Sequence, residues 1–138
     1  MIKAALFDLD GVVFDTESQY SVFWGMIGKE YHPEIPDFAQ IIKGQTLVQI
    51  YDKYFSDDKI FASKVDFCSV KDEQAKITAR LDEFEQNMSY NYIAGFEDFV
   101  KNLRNNGIKC AVVTSSNIPK MLNVYQQRPE FKDYFDRV

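Results

Sequence analysis

Of the 138 residues only two are cysteine, four are proline and one is histidine. Cys68 and Cys110 stand far apart in apolar contexts without CxxC spacing, which argues against a disulfide framework or a zinc site. They are expected to be buried thiols in a reducing, cytoplasmic setting. His32, between Tyr31 and Pro33, reads as a loop residue rather than a ligand. Runs of basic residues are also missing. With 16 Lys and Arg against 21 Asp and Glu, the net charge is −5, so neither nucleic acid nor an anionic membrane is expected as the main partner. No apolar run approaches membrane-spanning length, and the one after Met1 is broken by Asp8 too early for a signal peptide. Repeats and low-complexity tracts are absent, and a monomer is expected.

What the chain does have is apolar mass: 46% hydrophobic and 15% aromatic residues are ample for burying a core, in one domain or two small ones. Its most informative stretch is Leu6-Phe7-Asp8-Leu9-Asp10-Gly11-Val12-Val13-Phe14-Asp15-Thr16. Alternation along an extended backbone points Asp8 and Asp10 the same way. Two like charges forced together cost free energy unless a cation, a shared proton or good donors compensate them, so the pair suggests a hard metal ion such as Mg²⁺. Asp-Gly between apolar runs is equally a β-hairpin signal, and the two readings are compatible. A calcium loop does not fit, because the later acidic residues and the glycine at its sixth position are absent.

Taken in order, Ile2 to Phe7 reads as a short buried strand. A helix follows, capped by Thr16 with Gln19 and carrying Tyr20, Phe23, Trp24 and Ile27 at helical spacing. His32 to Pro36 breaks it. Asp37 with Gln40 suggests a short helix ending near Gly44, and Leu47, Ile50, Tyr51 and Tyr54 mark the next. Lys59 to Met88 reads as one long helix or two, and no segment from Thr16 to Met88 reads as a strand. Beyond it, Gly95 precedes a helix with Phe96, Phe99, Val100 and Leu103 on one face and Gly107 as its C-terminal cap. The β-branched run Ile108 to Val113 reads as a strand ending in Thr114-Ser115-Ser116-Asn117. Ser116 or Asn117 caps a last helix with apolar face Ile118, Met121, Leu122 and Tyr125, and Tyr134 to Val138 reads as the approach to another strand.

Strand, helical block, helix, strand, helix is the order of an open parallel α/β sheet, which binds ligands at the carboxyl ends of its strands. If the two strands are neighbours, Asp8, Asp10 and Thr114 meet at one edge. The expected organisation is a Rossmann-like core of residues 1–15 and 93–138, with residues 16–92 inserted as a helical cap over that edge.

Phe7-Asp8-Leu9-Asp10-Gly11-Val12 with Asp15-Thr16, the helical insertion, and Val112-Val113-Thr114-Ser115-Ser116-Asn117 resemble the first two motifs of the haloacid dehalogenase superfamily. The likeness is to its β-phosphoglucomutase-like and phosphatase branch, and it spans the whole chain. It implies a nucleophilic Asp8 that forms an aspartyl phosphate, and an Asp10 that acts as general acid and then general base. It further implies Mg²⁺ held by Asp8 and Asp10, and Leu9, Thr114 and Ser115 as the phosphate-binding set. The implied substrate is a small phosphorylated metabolite, with Lys43 and Gly44 as cap residues that touch it.

Plainer roles stand beside these. Thr114 and Ser115 could only cap a helix, Asp15 and Thr16 serve the turn, Tyr20 and Trp24 pack, and Lys71 and Lys76 are weaker substrate candidates than Lys43. Mutase relatives carry a histidine where this chain has Tyr20 and an arginine where it has Leu47, departures that favour hydrolysis over phosphoryl exchange. The family's third motif, a lysine, and its fourth, an acidic pair, would lie beyond Val138. These residues are therefore expected to be the N-terminal part of a longer enzyme, to bind Mg²⁺ poorly alone and to turn over no phosphate ester.

Overall fold

The computed structural model describes residues 3–138. The chain divides into two compact units, one of residues 1–17 and 85–138, the other of residues 18–84.

The first unit is built on a parallel pair, β1 (Ala4–Phe7) and β2 (Lys109–Val112), in the register Ala4↔Lys109 to Phe7↔Val112. Parallel neighbours need a crossover, and α5 (Phe96–Asn105) supplies it, turning its buried Phe96 and Val100 inward. Burial of each such side chain stabilises by about 1.5–3 kcal/mol. Gly107 ends α5 as expected. At φ 77° it lets its own N–H reach the Arg104 carbonyl and that of Ile108 reach Leu103, a left-handed cap closing two orphan carbonyls. The chain end then reaches β2, with the Asp136 N–H on the Cys110 carbonyl at 2.7 Å and the Val112 N–H on that of Arg137 at 3.0 Å. An aromatic core fills this unit: Phe14 lies 5.0 Å from the Tyr92 ring and 5.5 Å from Phe131, while Phe7 meets Phe96 edge-on at 5.7 Å.

A neck of backbone hydrogen bonds holds the segment leaving this unit to the segment returning. Asp15 N–H donates to Asn91 O at 2.8 Å and Ile93 N–H to Val13 O at 2.9 Å, with Phe14 bridged antiparallel to Tyr92.

The second unit has helices and connecting turns but no strand among its described residues: most of α1 (Glu17–Tyr31), then α2 (Phe38–Ile41), α3 (Leu47–Tyr54), a 3₁₀ turn (Asp58–Phe61) and most of α4 (Val70–Asn87). Its core gathers Phe23, Trp24, Ile27, Phe38, Ile50, Phe55, Phe61 and Ile77. Thr46 opens α3 with a reciprocal capping box, its hydroxyl accepting the Gln49 N–H while the Gln49 side chain accepts its own N–H.

Several local readings need correction. Ile2 lies outside the described residues, and β1 is not a fully buried strand, because Leu6 is 70% exposed on its open face. Residues 59–88 form a 3₁₀ turn and a separate helix, and Asp37 makes no side-chain cap on α2. Cys68 is exposed, whereas Cys110 is buried in β2. His32 is a loop residue, as expected, but a packed one. It is buried just past α1, with Nε2 on the Tyr54 carbonyl, Nδ1 on Glu34 at 2.8 Å and its ring stacked on Phe38. In α6 (Ile118–Gln127), Ile118 and Leu122 face solvent and the buried stripe is Lys120, Met121 and Val124. That rotation puts a lysine inside.

Candidate functional site

The acidic loop leaves the carboxyl end of β1. Leu9 is fully buried while Asp8 on one side of it is exposed and Asp10 on the other half-exposed, so alternation carries both carboxylates outward from an apolar anchor. The chain then turns tightly, the Leu9 carbonyl accepting the N–H groups of Val13 and Phe14 at 3.0 and 3.1 Å. This is a closed loop rather than a two-residue hairpin. Gly11 makes it possible: its φ is 76°, and a Cβ there would stand 2.5 Å from a Glu17 carboxylate oxygen.

The second strand delivers its residues to the same end of the sheet. The Val113 N–H donates to the Phe7 carbonyl at 2.8 Å, so Asp8, the first residue past β1, and Thr114, the second past β2, leave adjacent strands whose spacing is about 4.8 Å. Thr114 accepts the Ser116 N–H at 3.0 Å and donates its hydroxyl to the Ser116 hydroxyl at 2.9 Å. Ser115 is exposed, and Asn117 rather than Ser116 caps α6, accepting the Lys120 N–H at 3.0 Å. Leu9 directs its N–H to Asp8 Oδ1 at 2.8 Å.

The two carboxylates are held differently. Asp8 takes that one N–H. Asp10 is bound at both oxygens, Oδ1 by the Thr16 hydroxyl at 2.7 Å and Oδ2 by Lys120 Nζ at 2.6 Å. The Lys120 side chain is only 5% exposed and also lies 3.7 Å from Glu85. The fully buried Tyr90 donates its hydroxyl to the Glu85 carbonyl at 3.1 Å; burial first, then the charges of Glu85 and Asp10, push that hydroxyl far above the usual tyrosine range.

Sequence reasoning missed Lys120. One signal was present: a cation in the first turn of a helix opposes the helix dipole, so a lysine three residues after the cap calls for a compensating anion. Thr16, expected to cap the helix start, donates its hydroxyl to Asp10 instead. Lys43 and Gly44 occupy an exposed turn of the helical unit, between α2 and α3. Lys76 is engaged by Glu73 at 3.1 Å and Asp66 at 3.2 Å, and Lys71 is exposed. Tyr20 and Leu47 pack against the helical core.

Among the described residues no three His, Cys, Asp or Glu side chains converge as a metal-binding group. The oxygens of Asp8 and the Asp10 backbone nonetheless suit Mg²⁺, which keeps several waters and takes one or two carboxylates alongside substrate phosphate. No described helix is long and apolar enough to cross a membrane.

A parallel α/β core that carries two aspartates just past its first strand and a helical insertion before its second is of the Rossmann-like α/β class. The sequence profile of the haloacid dehalogenase-like hydrolases matches residues 2–138, and the chain belongs to that family. No curated protein matches it. Solved structures similar in fold include a family IA, variant 3 hydrolase of this superfamily from Entamoeba histolytica, with 16% identity and TM-score 0.64, over 98% of this chain and 58% of that one. A β-phosphoglucomutase-like protein from Thermotoga maritima matches with 19% identity and TM-score 0.63, over 99% and 60%. A family hydrolase from Deinococcus radiodurans, solved with bound phosphate and sodium, matches with 20% identity and TM-score 0.59, over 99% and 57%. The chain thus spans less than two thirds of the length of these relatives.

Proposed function

We propose that these residues carry the nucleophile of a Mg²⁺-dependent phosphatase acting on a small phosphorylated metabolite, such as a sugar phosphate, within the enzyme that contains them. The observation that supports this is the register of β1 and β2, which sends the Asp8 and Thr114 segments off adjacent strand ends.

An Asp8 carboxylate oxygen attacks phosphorus in line, forming the aspartyl phosphate as the ester bond breaks, and Asp10 gives its proton to the departing alcohol oxygen. Asp10, now ionised, takes a proton from water, which attacks the aspartyl phosphate and releases inorganic phosphate and free Asp8. The Leu9 and Ser115 N–H groups and the Thr114 hydroxyl donate to the phosphoryl oxygens, each such donor contributing about 3 kcal/mol to the transition state. Thr114 has only to turn its hydroxyl from Ser116 to do so. The Asp8 carboxylate and the Asp10 carbonyl would hold Mg²⁺, which when bound would neutralise the anions that meet there.

The inserted segment, residues 16–92, is read as the cap, and Lys43 and Gly44 as the residues of it that would touch the substrate. Hydrolysis is favoured over phosphoryl exchange because Tyr20 and Leu47, where mutase relatives carry histidine and arginine, are packed into the helical core and offer no clamp for a second phosphate.

The test is a screen of phosphate monoesters with Mg²⁺, using the enzyme that contains this chain and its Asp8→Asn variant. Hydrolysis that disappears in Asp8→Asn is expected; hydrolysis that survives, or none in either protein, refutes the reading. The 138 residues alone are expected to show no Asp8-dependent turnover.

A further inference from the structure

The structure assigns Lys120 a task that rests on the proposed reaction: it keeps the Asp10 carboxylate out of the metal's coordination sphere. Carboxylates two residues apart at a strand end are natural joint chelators of a divalent cation, because each added anionic oxygen tightens binding. Here one of the pair is taken. Lys120 Nζ sits on Asp10 Oδ2 at 2.6 Å and the Thr16 hydroxyl on Oδ1 at 2.7 Å, whereas Asp8 takes a single backbone N–H. The ammonium is almost wholly buried, its backbone N–H is fixed by the Asn117 cap, and Glu85 at 3.7 Å supports it from behind. Asp10 is thereby turned toward α6, with its side chain reserved for proton transfer and only its backbone carbonyl left for the cation. Lys120 is a positioning residue, acting through Asp10.

Binding isotherms for Mn²⁺, read by electron paramagnetic resonance, test this on the enzyme that contains this chain, as parent, and on its Lys120→Met, Lys120→Gln, Lys120→Arg, Asp10→Asn and double Asp10→Asn/Lys120→Met variants. Circular dichroism checks each fold. Lys120→Met is expected to bind Mn²⁺ about tenfold tighter as the freed carboxylate joins Asp8, a gain of the kind that ligand charge gives in other sites. Lys120→Gln follows with a smaller gain, Lys120→Arg stays near the parent, and the double variant loses the gain. Unchanged or weaker binding by Lys120→Met, or a gain that survives Asp10→Asn, overturns the assignment. If both neutral variants fail to fold, Lys120 is a scaffold residue and the assignment also falls. Asp8→Asn separates the two readings: parent binding indifferent to Asp8 removes the proposed reaction itself, whereas Asp8-dependent binding that Lys120→Met does not tighten removes only this inference.

Discussion

Gly28 and Gly25 lie one turn apart in α1, yet alanine at the two positions should act with opposite sign. Intrinsic helix propensity favours Gly→Ala by about 1 kcal/mol in either place. A Cβ at Gly25 meets nothing within 4 Å, so that gain is realised. A Cβ at Gly28 would stand 2.7 Å from the Phe38 Cβ and 2.9 Å from its Cγ and Cδ1, against a favourable carbon separation of about 3.5–4.0 Å. Phe38 has no easy retreat. It is 1% exposed, stacked on His32 at 5.6 Å and set edge-on against Tyr54 at 5.2 Å and Phe55 at 6.0 Å. Overpacking of this kind costs about 1–3 kcal/mol, and with 2.7 Å to a buried Cβ the upper half of that range applies, so the net effect of Gly28→Ala is a loss of about 1–2 kcal/mol after the propensity gain of about 1 kcal/mol. Trp24, the sole tryptophan, lies in the same helix with its ring 5.1 Å from Phe23, so its fluorescence reports on this unit in urea or thermal unfolding. At this chain length each kcal/mol moves the melting temperature by about 3–5 °C. A Gly28→Ala protein as stable as the parent would refute the close approach of α1 and Phe38. A destabilised Gly25→Ala would refute the propensity argument that makes the comparison informative.

Two further outcomes follow from the helical unit. Thr46→Ala removes half of the α3 capping box and should cost about 1 kcal/mol, read as a lower urea midpoint with unchanged slope; no shift would mean that the cap contributes nothing. For Glu30, burial raises the carboxyl pKa but is outweighed by hydrogen bonds from Lys64 and Arg80 at 3.0 and 2.9 Å, so the group is held below its usual value. A depressed carboxylate stabilises above the unfolded pKa, and that stability is lost as pH falls through the folded one. With these side chains about a third exposed, screening limits the contribution to about 0.5–1 kcal/mol. Glu30→Gln should therefore lower stability at pH 7, with the gap to the parent closing below the ordinary carboxylate range; a gap independent of pH would contradict the pairing.

The motif residues were legible because they obey short-range rules. Asp8 and Asp10 bracket a buried Leu9, and Gly11 and Gly107 occupy positive-φ turns, as alternation and turn chemistry dictate. The parallel sheet was legible because apolar runs alternated with helical spacing. Lys120 was not, because its partner Asp10 is 110 residues away and only the rotation of α6 decides which of its residues point inward. Ile118 and Leu122 had the better apolar pattern, yet they face solvent while Lys120 and Val124 are buried. The burial of the His32 loop position escaped for the same reason: its neighbours in sequence are turn formers, but its ring partners come from α2 and α3. Side chains fixed by tertiary contacts leave no local periodicity to read.

The paired backbone at Val13, Asp15, Asn91 and Ile93 has an evolutionary corollary. Because entry and exit are clasped side by side, whatever is threaded between them meets one fixed gap, and closing a longer excursion costs only about 0.6 kcal/mol for each doubling of its length. The parallel core therefore scarcely registers the size of what it carries. Excursions can be enlarged, trimmed or exchanged at this doorway while the strand ends and the two aspartates stay where they are.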